Sequence, residues 1–216
     1  MKNLLFATVA FLGVTIGANA QTDRYSSAMQ SAIVKLDSVK NQQDYLSNAA
    51  TFDRIATAEK TKWEPFYYAA YCRILSAFME QDKDKVDALL DPAEENLNRA
   101  LAIDSKNSEV YAIQAMLYQA RISVSFTRGM KYSGMANESI EKAIVMNPAN
   151  PRAYFMKGQN IFYTPTMFGG GAENAKPHFE KALALFKAQD TTPKGFSPSW
   201  GKNKTMGMIK ACEAKQ

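Results

Sequence analysis

Apolar residues return at three- and four-residue intervals along almost the whole chain, the spacing that lines one face of an α-helix. Tyr25, Met29, Ile33 and Leu36 mark a first helix, and Leu46, Ala49, Phe52 and Ile55 a second beyond the break at Asn41 and Gln42. Residues 63–79 predict a third, rich in aromatics (Phe66, Tyr67, Tyr68 and Tyr71). A polar stretch over residues 81–85 precedes Asp91-Pro92-Ala93-Glu94, which reads as a helix start. There Asp91 caps, Pro92 suits a first turn whose N–H has no partner anyway, and Glu94 reaches back. That helix is expected to run to Ile103, and others over residues 108–125, 135–146, 151–163, 172–188 and 199–214. Strand-like alternation is found nowhere, so the fold class is all-α.

Residues 136–161 show the unit from which the chain is built. Ala136 and Ala143 on one helix, and Gly158 on the next, are small where helices must approach closely. Pro148 stops the first helix, Asn150 offers a cap, and Pro151 is a pre-set first helical residue. The unit recurs. Leu97-Asn98-Arg99-Ala100 leads to Tyr111, Ala115 and Tyr118, and Ile140-Glu141-Lys142-Ala143 to Tyr154, Gly158 and Ile161. Phe52-Asp53-Arg54-Ile55 leads to Phe66 and Ala70, with Arg73 in place of the third apolar residue. Each aromatic lies eleven residues after Ala100, Ala143 or Ile55. Internal similarity at a period near forty is the signature of stacked helix pairs, each with an apolar face that only its neighbours can cover.

At these residues the chain resembles the tetratricopeptide repeat family. Tyr111 with Ala115 and Tyr154 with Gly158 match the pattern of that family's first helix. Ala93-Leu97-Ala100, Ala136-Ile140-Ala143 and Ala175-Phe179-Ala182 match its second. Pro148 stands at the family's proline, whereas Ser105 and Thr61 occupy the other two turns, and Lys157 and Gln114 sit where leucine is usual. The resemblance implies a right-handed α-solenoid of antiparallel pairs, about four of them, closed by a C-terminal helix carrying Trp200, Met206, Ile209 and Cys212. The units exceed the family's roughly 34 residues. The excess falls within pairs, at residues 81–91, 126–134 and 164–171, which predicts one rim of extended helices or elaborated loops.

The first twenty residues change the picture of where the protein works. Lys2, an apolar run over residues 4–16 and Ala18-Asn19-Ala20 form a cleavable signal peptide rather than part of the fold. The run is short for about 30 Å of hydrocarbon, and no cysteine stands at the cut for a lipid anchor. A periplasmic or secreted domain over residues 21–216 is expected, not a lipoprotein. Its formal charge, +5 for the whole chain, drops by one with Lys2 and shows no basic stripe, which argues against nucleic acid as a partner. Export permits disulfides, but Cys72 and Cys212 lie near opposite ends of the array and are expected as buried free thiols.

Two sites follow. By the resemblance, the first helices line a concave groove that holds a peptide. Its matching positions are Tyr67, Tyr71, Ala112, Met116, Gln119, Phe155, Gln159 and Phe162, edged by Glu64, Glu109 and Arg152. Such aromatics suit an extended or helical peptide, and equally suit a core beneath rim loops folded over the groove. The second is the loop Tyr163-Thr164-Pro165-Thr166-Met167-Phe168-Gly169-Gly170-Gly171, whose glycines permit a close backbone approach. It lacks the Lys-Ser/Thr pair of a phosphate loop, so Phe168 plugging the space between helices is the favoured role. His178 is the sole histidine, on an outer helix face, and no nucleophile–base or metal-ligand constellation is visible.

The expected function is therefore a non-catalytic scaffold without cofactor or metal. It would hold a protein or peptide partner in envelope assembly, secretion or transport. Alternatives are a carbohydrate- or small-ligand-binding module that uses the groove aromatics as stacking platforms, and a self-associating structural protein.

Overall fold

The computed structural model describes residues 22–189 and 195–215. The chain runs through α1 (residues 22–36), α2 (Gln42–Ala58), α3 (Glu64–Met79), α4 (Lys83–Ile103) and α5 (Ser108–Ile122). It continues as α6 (Gly129–Met146), α7 (Pro151–Tyr163), α8 (Ala172–Gln189) and α9 (Lys202–Glu213). Single 3-10 turns, Phe126–Arg128 and Thr166–Phe168, lead into α6 and towards α8. There is no strand among the described residues. None of their helices is long and apolar enough to cross a membrane. The expected signal peptide, residues 1–20, lies outside them.

Helix starts follow from short polar side chains that accept otherwise unpaired amide protons. Asn41 accepts from the Asp44 amide, Asp82 from Asp84, Asn107 from Glu109 and Val110, and Asn150 from Arg152. Three expected boundaries are corrected. α4 starts at Lys83 behind Asp82, not at Asp91, and Pro92 lies inside it. Val86 and Leu90 are fully buried before the proline, so packing offsets its missing hydrogen bond. Arg121 of α5 fastens the same stretch, donating to Asp87, Asp91 and Glu94 at 2.7–2.8 Å, so Glu94 does not reach back as a cap. α6 begins two turns earlier than expected, at Gly129, where Tyr132 stacks on Tyr118. α9 begins at Lys202, which leaves Trp200 ahead of it.

From α2 onward consecutive helices pack side by side, and α5 also touches α3 and α7, forming an inner row with α4, α6 and α8 outside. The small–bulky–small triplets do the joining. Ala93, Leu97, Ala100, Ala136, Ile140, Ala143, Ala175, Phe179 and Ala182 are all fully buried. Gly158 lies against Phe179 so closely that a Cβ there would sit 2.6 Å from the ring. Tyr111 and Tyr154, matching positions of successive units, have matching surroundings: Lys142 lies 5.9 Å from the first ring and Lys181 5.9 Å from the second. The fold is an all-α helical repeat.

Candidate functional site

Of the expected groove residues, Tyr67, Tyr71 and Phe155 meet around Trp200, and Arg152 pairs with Glu109 beside them. Ala112 and Met116 are buried, and so are Tyr67, Tyr71, Arg152 and Phe155, across which residues 195–201 lie. Trp200 stacks on Tyr71 at 5.3 Å, meets Phe155 edge-on at 6.2 Å, and donates its indole N–H to the Tyr67 hydroxyl at 2.8 Å. Phe196 packs edge-on against Tyr25 at 5.4 Å, and its carbonyl accepts from the Tyr68 hydroxyl. Arg152 donates to the Pro198 carbonyl and lies 5.3 Å from the rings of both Phe186 and Trp200. The covering segment is thus the C-terminal stretch and not a rim loop. Its signal was in the sequence: a proline and two flanking glycines around two aromatics, Gly195-Phe196-Ser197-Pro198-Ser199-Trp200-Gly201, suit an extended segment docked on aromatic side chains.

Beneath that segment Arg152 pairs with Glu109 at 3.1 Å. Burial pushes the Glu109 carboxyl up, against the pull of Arg152, and one oxygen of Glu109 and the Nε of Arg152 have no hydrogen-bond partner among the described residues. Burial likewise raises the Tyr67 and Tyr71 hydroxyls, so both remain neutral, and that of Tyr67 accepts from Trp200. Glu64, at the edge, accepts from the Tyr25 hydroxyl at 3.4 Å, and Gln119 donates to the Met156 carbonyl at 3.2 Å. Gln159 is half-buried. Phe162 is almost covered, with the Lys215 ammonium 4.4 Å from its ring.

The rim loop is the opposite case. Phe168 does not plug the space between helices: it is 70% exposed, beside Met167 at 81% and Tyr163 at 72%. The loop itself is closed by its backbone. Gly171 donates to the Ile161 carbonyl at 2.9 Å, Phe168 and Gly170 to that of Pro165, and the Asn174 amide to Gly169 and Gly170. Gly169 and Gly171 have φ of 80° and 98°, and a Cβ on Gly170 would lie 1.9 Å from the Thr164 carbonyl oxygen. With the backbone turned this way, residues 167 and 168 point outward. A cleft of about 570 Å³ between this loop, the start of α8 and the C-terminal end is lined by Thr166, Gly170, Gly171, Ala172, Glu173, Asn174 and Lys215.

Other reactive groups are accounted for locally. His178 is half-buried, and burial with the nearby Lys157 lowers its pKa. Cys72 and Cys212 are buried and free, and burial pushes the Cys72 thiol up to about 12. No group of three or more His, Cys, Asp or Glu among the described residues is placed to hold a metal ion. A second cleft, about 470 Å³, lies between α2, α3 and α4, where Asp53 is already engaged by Arg73 and Asn96.

No family model matches the chain, and no curated protein sequence does. Solved structures similar to it include the following two. A thermophilic TPR protein from Thermus thermophilus, TTC0263, is 16% identical over 88% of this chain and 89% of its own, with a TM-score of 0.59. At that identity the likeness shows the tetratricopeptide-like fold alone. The HusA haemophore from Porphyromonas gingivalis is 35% identical over 89% of this chain and 94% of its own, with a TM-score of 0.80. Identity at that level over nearly the full length of both chains places this one in the family of the HusA haemophore.

Proposed function

We propose that the protein is a non-catalytic haem-capturing protein working outside the cytoplasm. The observation that carries this reading is the 35% identity to a haemophore across 89% of the chain. The signal peptide expected over residues 1–20 fits a protein that meets its ligand beyond the inner membrane. The arrangement of the concave face supports a small ligand over a peptide partner. A peptide there would have to displace Trp200 from Tyr67, Tyr71 and Phe155, and Pro198 from Arg152. A flat ligand held elsewhere on the scaffold requires no such displacement.

Titrating haemin into the protein lacking residues 1–20 tests the reading. A saturable change in the haem absorption band, complete near one or two equivalents, is the expected result. A spectrum indistinguishable from haemin in buffer with an unrelated helical protein would overturn it.

A further inference from the structure

We infer that one edge of the array rests on a lipid surface outside the cytoplasm, with Met130, Tyr163, Met167 and Phe168 entering its headgroup layer. Docking of this kind requires no bound haem and goes beyond the haem-capturing reading. Helices that pack side by side across short turns alternate in direction, so α3, α5 and α7 point the same way. They are 16, 15 and 13 residues long, and from matching starts their ends stand level to within about 5 Å at ~1.5 Å per residue. That edge carries Phe78 and Met79 at the end of α3, Met130 in the first turn of α6, and Tyr163, Met167 and Phe168 at the end of α7 and in the loop after it. All three exposed aromatic rings among the described residues are here, and Met130 is 95% exposed. Away from this edge the exposed large apolar residues are Val34, Ile103, Val145, Met146 and Met206, none of them aromatic. The loop after α7 cannot fold its side chains away, because its backbone is tied at Ile161, Pro165 and Thr166.

Large apolar side chains gathered in solvent mark an interaction surface, and their layout here selects a bilayer over a folded partner. A specific protein interface covers about 800 Å² of continuous, complementary surface on each side. These side chains instead stand as separate tips on three successive turns, and the cleft beside them is lined by polar residues such as Thr166, Glu173 and Asn174. A fluid surface closes around separate tips, and tyrosine is favoured at the headgroup level. None of the described helices can cross a bilayer, which keeps the contact at the surface. Charge favours anionic lipid at the corner where the tips protrude furthest. Residues 123–134 and 163–171 hold Arg128 and Lys131 and no acid. Arg128 is paired with Asp87, whereas Lys131 and Lys215 form no ion pair among the described residues. Glu213 is paired with Lys176, and Glu173 at the start of α8 subtracts from this excess. The turn after α3 is closer to neutral, with Lys83 and Lys85 among Glu80, Asp82 and Asp84. The tips therefore carry the main share of the binding, and the lysines add a preference for anionic headgroups.

The test sediments the chain lacking residues 1–20, without haemin, with vesicles of phosphatidylcholine alone or mixed with phosphatidylglycerol. Saturable co-sedimentation of the parent is expected, severalfold stronger with phosphatidylglycerol at low salt and less so at high salt. Met167→Ser/Phe168→Ser is expected to weaken binding to both vesicles by about tenfold or more, since two large apolar side chains no longer leave water. Lys131→Gln/Lys215→Gln is expected to remove the preference for phosphatidylglycerol and leave binding to phosphatidylcholine unchanged. Val145→Ser/Met146→Ser, at the opposite edge, is expected to bind as the parent does. All six side chains are exposed, so thermal melts check that each variant is folded as the parent is. A parent that stays in the supernatant with both vesicles overturns lipid docking. Equal weakening by Val145→Ser/Met146→Ser also overturns it, as adsorption through any exposed apolar group. So does a lipid-free parent that sediments as a dimer and becomes monomeric in Met167→Ser/Phe168→Ser, because the edge is then covered by a second copy. The haem-capturing reading is judged by the haemin titration and stands or falls apart from these outcomes.

Discussion

Gly158 is the residue on which the joint between α7 and α8 turns. Replacing it with alanine puts a methyl group 2.6–2.9 Å from three carbons of the fully buried Phe179 ring. Alanine gains about 1 kcal/mol of helix propensity over glycine, but overpacking a closed core costs about 1–3 kcal/mol. Gly158→Ala is therefore expected to lower stability by about 1 kcal/mol or more, read by urea denaturation. Gly134→Ala is the opposite case. That glycine lies within α6 with nothing within 4 Å of a built Cβ, so the same change is expected to raise stability by up to about 1 kcal/mol. Equal effects at the two positions would show that Phe179 does not set the spacing. That Gly158 and Phe179 stand where helices meet was legible, because the small–bulky–small rhythm is repeated three times; that they meet each other was not. Nor was the orientation of Phe168. Whether an aromatic on a loop turns inward depends on where the neighbouring amides find acceptors, and those are contributed by Ile161, Pro165 and Thr166 through a backbone path that residue types do not encode.

At the level of elements, the bounds that came through intact have their caps written locally. α7 starts at Pro151 behind Asn150 and ends at Tyr163, as its spacing required. α4 was misread because Asp91-Pro92 imitates a helix start, while the true signals are distant. Asp82 caps earlier, and Arg121, thirty residues on, neutralises the acidic face across the proline. Such a partner is invisible to any window shorter than a helix pair. Pro92 within α4 then carries a testable cost: it lacks the amide proton of an interior helical residue and crowds the preceding turn. Pro92→Ala is expected to stabilise the protein by about 1–3 kcal/mol, measured by chemical denaturation with helix content followed by circular dichroism. Destabilisation would mean that a bend at the proline is needed to bring Asp87, Asp91 and Glu94 to Arg121.

For the molecule as a whole, repeat arrays are held by nearest-neighbour contacts and tend to unravel from their ends. The array itself could be read from the chain. Its closure could not, because it depends on residues 195–201 reaching units far away in sequence. Phe196 touches Tyr25 of α1 and Tyr68 of α3, while Trp200 joins Tyr67 and Tyr71 of α3 to Phe155 of α7. Tyr67 and Trp200 are 133 positions apart. These ties convert a linear stack into a loop, in which opening one end costs contacts at the other. Native-state hydrogen exchange reads that coupling directly. In the parent protein, the buried amides of α3, α5 and α7 are expected to exchange with one common opening free energy. In Phe196→Ala/Trp200→Ala, α3 and its neighbours should exchange faster than α5, with protection graded along the array. A double variant that keeps one common value, merely lowered, would show that the helix-to-helix joints supply the cooperativity and that the closing segment only adds to it.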